Sequence, residues 1–250
     1  MTNYEKAIRI AKEDGKVCIS YLQRRLCLSY FEAGQIIDRM KADGYISDKR
    51  KIGIYYMVDK YANLRVGYTY MFGHSGKKLL FMGQEFGQFI EWKYDTGLDW
   101  MLLGYEKHQQ LKAYVKKLNS VYLKYPAFWE VDYSWEGFKW FVPDDTDNSV
   151  IAFSRLDKEG NEIVAACNFT PVMREKYSFG VAREGTYEVI LNTDAVEFGG
   201  EGKGTKTKAT SKKVGMHGFE NSLTVDIPGL SVIFFRYKPK KATKKTADKQ

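Results

Sequence analysis

The sequence predicts an α+β multi-domain chain, and three patterns along its 250 residues predict it. Residues 1–50 carry apolar positions at helical spacing, residues 58–126 run helix, apolar strand, loop and helix, and the stretch after Pro126 breaks into short strands separated by turn residues. The expected parts are a helical unit at 1–57, a helix–strand–helix segment at 58–126, an all-β sandwich at 127–238 and a disordered basic tail at 239–250.

In the first part, residues 4–14 are amphipathic, with Ala7, Ile8, Ile10 and Ala11 on one side and Gly15 as the stop. Residues 17–19 suit a short strand, and Ser20 is placed to cap a helix carrying Leu22 and Leu26. The next helix has the clearest signature. Ser29 followed three residues later by Glu32 makes a capping box, Ala33, Ile36, Ile37 and Met40 form the apolar stripe, and Gly44 ends it. Residues 45–47 and 52–54 then read as two arms of a small hairpin around the charged stretch 48–51. Three short helices with a basic hairpin outline a winged helix.

The second part begins with a helix at 59–74, with Leu64, Gly67, Tyr68 and Met71 along one face. Leu79, Leu80, Phe81 and Met82 form a short apolar run ended by Gly83, the pattern of a strand buried on both faces. The loop after it, Gln84 to Trp92, mixes amides and carboxylates with flat rings: Glu85, Phe86, Gln88, Glu91 and Trp92. Sugars need that mixture, because their hydroxyls require partners and their ring faces require apolar cover. The same residues also suit a polar loop in which Phe86 and Trp92 are core. A helix from 106 to 125 follows, with Leu111, Tyr114, Val115, Leu118, Val121 and Tyr122 at helical spacing before Pro126.

In the third part, strands are expected at 138–142, 150–155, 163–168, 176–179, 185–191, 222–227 and 231–237. Residues 157–161 read as a hairpin turn, 199–213 as a long exposed loop, and Asp144, Asp145 and Asp147 as a hydrated turn. Trp129, Trp135 and Trp140 offer faces for sugar rings, although aromatics in a small sandwich are more often core.

Composition narrows the partners. The net charge of +8 sits at the two ends: residues 238–250 carry six Lys against one Asp, residues 1–51 eleven Lys and Arg against seven acids, and the rest 22 against 23. The tail is expected to be solvated, although its charge also suits a polyanion. Cys18, Cys27 and Cys167 are few and lack metal-ligand spacing, so neither a disulfide framework nor a bound metal is expected, and no cofactor is expected either. The N-terminal residues lack the apolar core of a signal peptide, and no apolar run is long enough to cross a membrane; a cytoplasmic location fits these features. The sequon at Asn168, Phe169 and Thr170 is then incidental.

Two resemblances sharpen this outline. Residues 4–47, through Ser20, Leu22, Gln23, Arg24, Arg25, Leu28, Tyr30, Ala33, Ile37, Asp38, Met40 and Gly44, resemble the winged-helix gamma domain at the end of bacterial DNA translocases. That resemblance implies DNA as a partner, read by the third helix. The helix here begins with Phe31, Glu32, Gly34 and Gln35 where that family carries polar and basic side chains, so sequence-specific reading is not expected. Arg24, Arg25, Arg39 and Lys41 are left as the candidate phosphate contacts, or as a solvated face.

From about residue 61 to 237 the chain resembles the C-terminal part of bacterial 1,4-alpha-glucan branching enzymes of the alpha-amylase superfamily. The carrying residues are Ala62 to Arg65, Met71 to His74, Gly76 to Gly83, Glu85, Phe86, Gln88, Glu91, Trp92, and Leu98 to Trp100, followed by Asn168 to Pro171 and Leu191 to Asp194. The resemblance implies that 79–82 is the last strand of a (β/α)8 barrel, that 58–126 is a partial barrel segment, and that residues from about 127 form a C-terminal β domain. It also implies a retaining transfer of α-1,4-linked glucan to an α-1,6 position by two carboxyl groups about 5 Å apart, with a third carboxylate steadying the sugar. All three stand on earlier barrel strands, and in that family the last is followed by a His-Asp-Glu motif before the helix that begins near residue 61. No His-Asp pair occurs in this sequence, and Lys51 to Asp59 occupies that position. The chain therefore reads as a truncated branching-enzyme relative without catalytic residues, holding a weak α-glucan contact through Glu85, Phe86, Gln88, Glu91 and Trp92. An open barrel segment also exposes apolar faces, so a further chain covering them is expected. The alternatives are a DNA-binding winged helix with a passenger remnant, or a join of unrelated segments with no function as one chain.

Overall fold

The computed structural model describes residues 1–14, 17–43, 52–90, 92 and 94–240. It divides into two compact units, Met1–Lys60 and Tyr61–Gln250.

In the first unit, α1 (Asn3–Asp14), α2 (Ile19–Leu26) and α3 (Tyr30–Ala42) pack around Ala7, Val17, Leu22, Ala33, Ile37 and Met40. The capping box opens α3 as its spacing predicts: the Ser29 backbone N–H donates to Glu32 Oε2 at 2.9 Å and the Glu32 N–H to Ser29 Oγ at 3.2 Å. The Ser29 hydroxyl, which also donates to Glu32 Oε2 at 2.7 Å, and then the Ser29 N–H hold the Glu32 carboxyl below its usual range. Two local expectations fail. Residues 17–19 form no strand, because Val17 is drawn into the three-helix core and Ile19 already opens α2. The cap of α2 is accordingly Cys18 rather than Ser20, which lies inside the helix. Of the expected hairpin, 45–47 and 48–51 lie outside the described residues, while 52–54 are helical as the start of α4 (Ile52–Gly73). Extending a helix that already exists costs one residue per hydrogen bond gained, whereas a three-residue strand needs a partner.

In the second unit, α4 buries Tyr61, Ala62, Arg65, Val66, Thr69 and Phe72, and α5 (Glu106–Lys124) buries the predicted Leu111, Tyr114, Val115, Leu118 and Val121. A hydrogen bond between the Thr69 and Tyr114 hydroxyls joins the C-terminal part of α4 to the middle of α5.

Eight strands follow: β1 (Phe138–Asp145), β2 (Val150–Leu156), β3 (Glu162–Asn168), β4 (Arg174–Val181), β5 (Gly185–Asn192), β6 (Lys208–Thr210), β7 (Asn221–Ile227) and β8 (Ser231–Pro239). They make a six-stranded antiparallel sheet, β1-β2-β3-β8-β5-β6, and a two-stranded sheet, β4-β7. Phe141, Val164, Phe179, Tyr187, Leu223, Ile233 and Phe235 belong to the core of this sandwich. The opposite face of the larger sheet is also covered, since Phe128 lies 5.0 Å from Phe234 and Tyr70 6.1 Å from Phe153. Every residue of β3 is consequently buried. The strand β6 was hidden in the sequence by its Lys, Ala and Thr; it pairs with β5 at the sheet edge, where a polar strand meets water.

Two differences bear on function. Residues 79–82 form no strand, and nothing pairs with them among the described residues. The apolar run has strand chemistry but no neighbouring strand to complete a ladder. Trp129, Trp135 and Trp140 are exposed, Trp135 by 85%, because the sandwich interior is filled by Phe and aliphatic side chains while these three lie on or before edge strand β1. Asn168 is fully buried, donating to the carbonyls of Val172 and Pro228 and accepting from Thr170, so the sequon is a structural turn. The 157–161 turn forms as expected: Asp157 Oδ1 accepts the N–H of Glu159 and Asn161, and Gly160 takes the positive φ of 76° that closes it. No helix among the described residues is long and apolar enough to cross a membrane.

Candidate functional site

The loop after residue 82 is shaped by two glycines in the left-handed region, Gly83 at φ 85° and Gly87 at φ 74°, which bracket one helical turn of Gln84, Glu85 and Phe86. The turn drives Phe86 inward. Its ring is fully buried, 5.3 Å from that of Trp100, and its carbonyl accepts the Nδ1–H of His108 at 2.7 Å. His108 is itself buried among the rings of Tyr61, Phe89 and Tyr105. Burial pushes its pKa down, against the pull of the Phe86 carbonyl, so the neutral ring is the one held here.

The amides of the loop are spent on the loop. Gln84 Oε1 accepts from the Phe81 N–H at 2.9 Å, and the Gln84 carbonyl accepts the Tyr68 hydroxyl at 2.9 Å. Burial, with Glu85 nearby, raises that phenol to about 12. Gln88 Oε1 accepts the Asp99 N–H at 2.9 Å while its Nε2 donates to the Ile90 carbonyl at 3.0 Å. Gln88 thus staples the loop to residue 99.

Of the five residues expected to meet glucan, Phe86 and Gln88 are structural parts of the loop. Glu91 lies outside the described residues. Trp92 is 73% exposed, its ring 5.2 Å from that of Phe81. Glu85 is half-buried and takes no hydrogen bond among the described residues. What remains outward is an aromatic pair and a carboxylate on one short loop.

Two buried arginines, which sequence reasoning did not single out, hold this loop's scaffold to the β sandwich. Arg155 on β2 donates to the carbonyls of Gly137 and Gly73, each at 3.1 Å, and to Asp132 Oδ1 at 2.9 Å. Asp132 also accepts the Gly76 N–H at 3.1 Å, so one guanidinium and one carboxylate fix the chain where α4 ends. Arg65 on α4 donates to the carbonyls of Thr193 and Phe198 at 2.8 and 3.0 Å. Lys78, beside this cluster, is lowered to about 8 by burial despite the pull of Asp132. The only sequence signal was Arg65 within Ala-Asn-Leu-Arg; Arg155 looked like an ordinary strand end.

In the first unit, Arg24 and Arg25 are exposed in the last turn of α2, with Arg25 5.7 Å over the Tyr21 ring. Arg39 is held over the Tyr4 ring at 4.2 Å and lies 3.6 Å from Asp43. Position 41 is on α3. Arg24 and Arg25 are thus exposed at the end of α2, whereas Arg39 is engaged with Tyr4 and Asp43.

Residues 140–238 match the family model described as the alpha amylase C-terminal all-beta domain, and residues 2–53 match the Ftsk gamma domain. The chain is 45% identical over 178 residues to the 1,4-alpha-glucan branching enzyme GlgB of Halothermothrix orenii and 48% identical over 179 residues to that of Aquifex aeolicus. Each alignment covers 71% of this chain and 28% of the relative, so the chain spans little more than a quarter of the length of the proteins it matches. Among solved structures, the catalytic module of a multi-modular glycogen-degrading pneumococcal virulence factor, SpuA, superposes with a TM-score of 0.53 at 14% identity, over 76% of this chain and 33% of that one. That likeness is one of fold. From about residue 61 to residue 237, the chain resembles the C-terminal part of the bacterial 1,4-alpha-glucan branching enzymes of the alpha-amylase superfamily, and the segment before it resembles the gamma domain of bacterial DNA translocases.

Proposed function

We propose that this 250-residue chain is a branching-enzyme-like fragment that does not transfer glucan by itself and keeps a weak α-glucan contact on the loop after residue 82. The observation carrying the first half is the missing His-Asp pair, together with a match that covers only 28% of the relative. A retaining transfer needs two opposed carboxyl groups about 5 Å apart, and the loop's described face offers Glu85 alone. The second half rests on the exposed pairing of the Trp92 and Phe81 rings on the same loop as Glu85, which takes no hydrogen bond among the described residues. An apolar plate and an unspent acceptor on one loop suit a sugar ring and its hydroxyls. In this reading Trp92 and Glu85 touch the glucan, with Glu91 completing the predicted set, while Phe86 and Gln88 hold the loop in shape. Affinity electrophoresis in glycogen-containing gels tests it: Trp92→Ala should weaken retardation by about fivefold in Kd, corresponding to ~1 kcal/mol for one exposed ring, with the melting temperature unchanged. Equal retardation of both proteins would remove the loop from glucan contact.

A second reading is favoured by the Ftsk gamma match and by the exposed Arg24 and Arg25. There the first unit binds DNA through backbone phosphates and the rest is carried with it. A DNA affinity that falls steeply with salt, with a slope reduced by about one per arginine in Arg24→Ala and Arg25→Ala, is its signature. A salt-independent or undetectable affinity ends that reading.

A further inference from the structure

We propose that residues 77–81 are a docking edge for a strand of a separate polypeptide that carries the preceding part of a branching-enzyme chain. The proposal rests on reading the second unit as a branching-enzyme-like fragment, and it adds a partner to that reading.

The backbone of this segment is open. Among the described residues, neither the N–H nor the carbonyl groups of residues 77–80 take part in a hydrogen bond. Exposure alternates along it as on a strand: Lys77, Leu79 and Phe81 face outward, and Lys78 and Leu80 are half-buried. Leu79 is 70% exposed, a large apolar side chain in water beside unpaired amides. Both ends are fixed. The Gly76 N–H is held by Asp132 at 3.1 Å, and the Phe81 N–H by Gln84 at 2.9 Å. A segment tethered at both ends with its edge unpaired is already ordered for pairing, which lowers the entropic cost of adding a strand.

The occupant follows from size and from the matches. A second copy of this chain would bring another five-residue edge, far short of the ~800 Å² per partner that stable interfaces bury. The relatives match this chain at 45% identity over 178 residues and 48% over 179, and it accounts for only 28% of their length. A polypeptide carrying the rest can supply both a strand for the open edge and the surface around it.

The test uses the full chain co-expressed with the Halothermothrix orenii branching enzyme cut just before its matched region. The expected result is a soluble one-to-one complex by sedimentation, with exchange of the amides of residues 77–80 slowed about tenfold or more. Leu79→Asp and Leu79→Pro should each abolish the complex while keeping the melting temperature of the free chain, since Leu79 is exposed there. The proposal is overturned if no complex forms, if the complex survives both variants, or if this chain forms a homodimer through the same edge instead. Glucan retardation is measured on the free chain, so the glucan contact can stand when this docking fails, and docking can stand when the glucan contact fails.

Discussion

Replacing Arg155 by alanine is expected to lower the stability of the second unit by about 3–5 kcal/mol, the cost of removing one partner from a buried ion pair. The Arg155 and Asp132 side chains are almost completely inaccessible, and the guanidinium serves two carbonyls besides the carboxylate. Its loss strands the buried Asp132 charge and leaves the Gly73 and Gly137 carbonyls without these donors, at the point where α4 meets the sandwich. Arg155→Lys should recover little, because a single ammonium cannot reproduce the planar fork that reaches all three acceptors. Urea denaturation followed by tryptophan fluorescence checks this. A loss under about 1 kcal/mol for Arg155→Ala would mean that the pair contributes no more than a surface bridge.

Phe86→Ala should be of similar size, about 3–5 kcal/mol, because it empties a fully buried ring site between two glycine turns. Its value lies in contrast with Trp92→Ala. Phe86→Ala should lower stability while the folded fraction keeps its glucan affinity, and Trp92→Ala should lower affinity while stability holds. The measurements are a denaturation curve and gel retardation of each variant. If Phe86→Ala is folded and stable but loses affinity, the ring is a ligand contact and its inward placement is wrong.

These contrasts mark where the sequence was legible. The capping box of α3 and the apolar stripe of α5 could be read because their periods and partners lie within a few residues. The seven strands predicted for the sandwich emerged for the same reason, each carrying β-rich residues between turn signals. Legibility failed where the deciding partner is distant or missing. Arg155 meets Gly73 across 82 positions and Arg65 meets Phe198 across 133, separations that leave no local trace. Phe86 and Trp92 are both aromatics on one loop, yet the first is buried and the second exposed, a distinction set by the Gly83 and Gly87 turns and by His108. Gln88 looked like a sugar-binding amide until Asp99 claimed its oxygen. Residues 79–82 were read correctly for composition, but a strand exists only where another strand pairs with it.

The proposed function is that of a branching-enzyme-like chain that does not transfer glucan by itself. Incubation of the purified chain with amylose, followed by debranching and chain-length counting of the α-1,6 points, tests that claim most directly. The expected result is no rise in branch points above a protein-free control. A robust rise that persists in Glu85→Gln would contradict it, because it would place catalytic carboxylates where neither this loop nor the sequence supplies them.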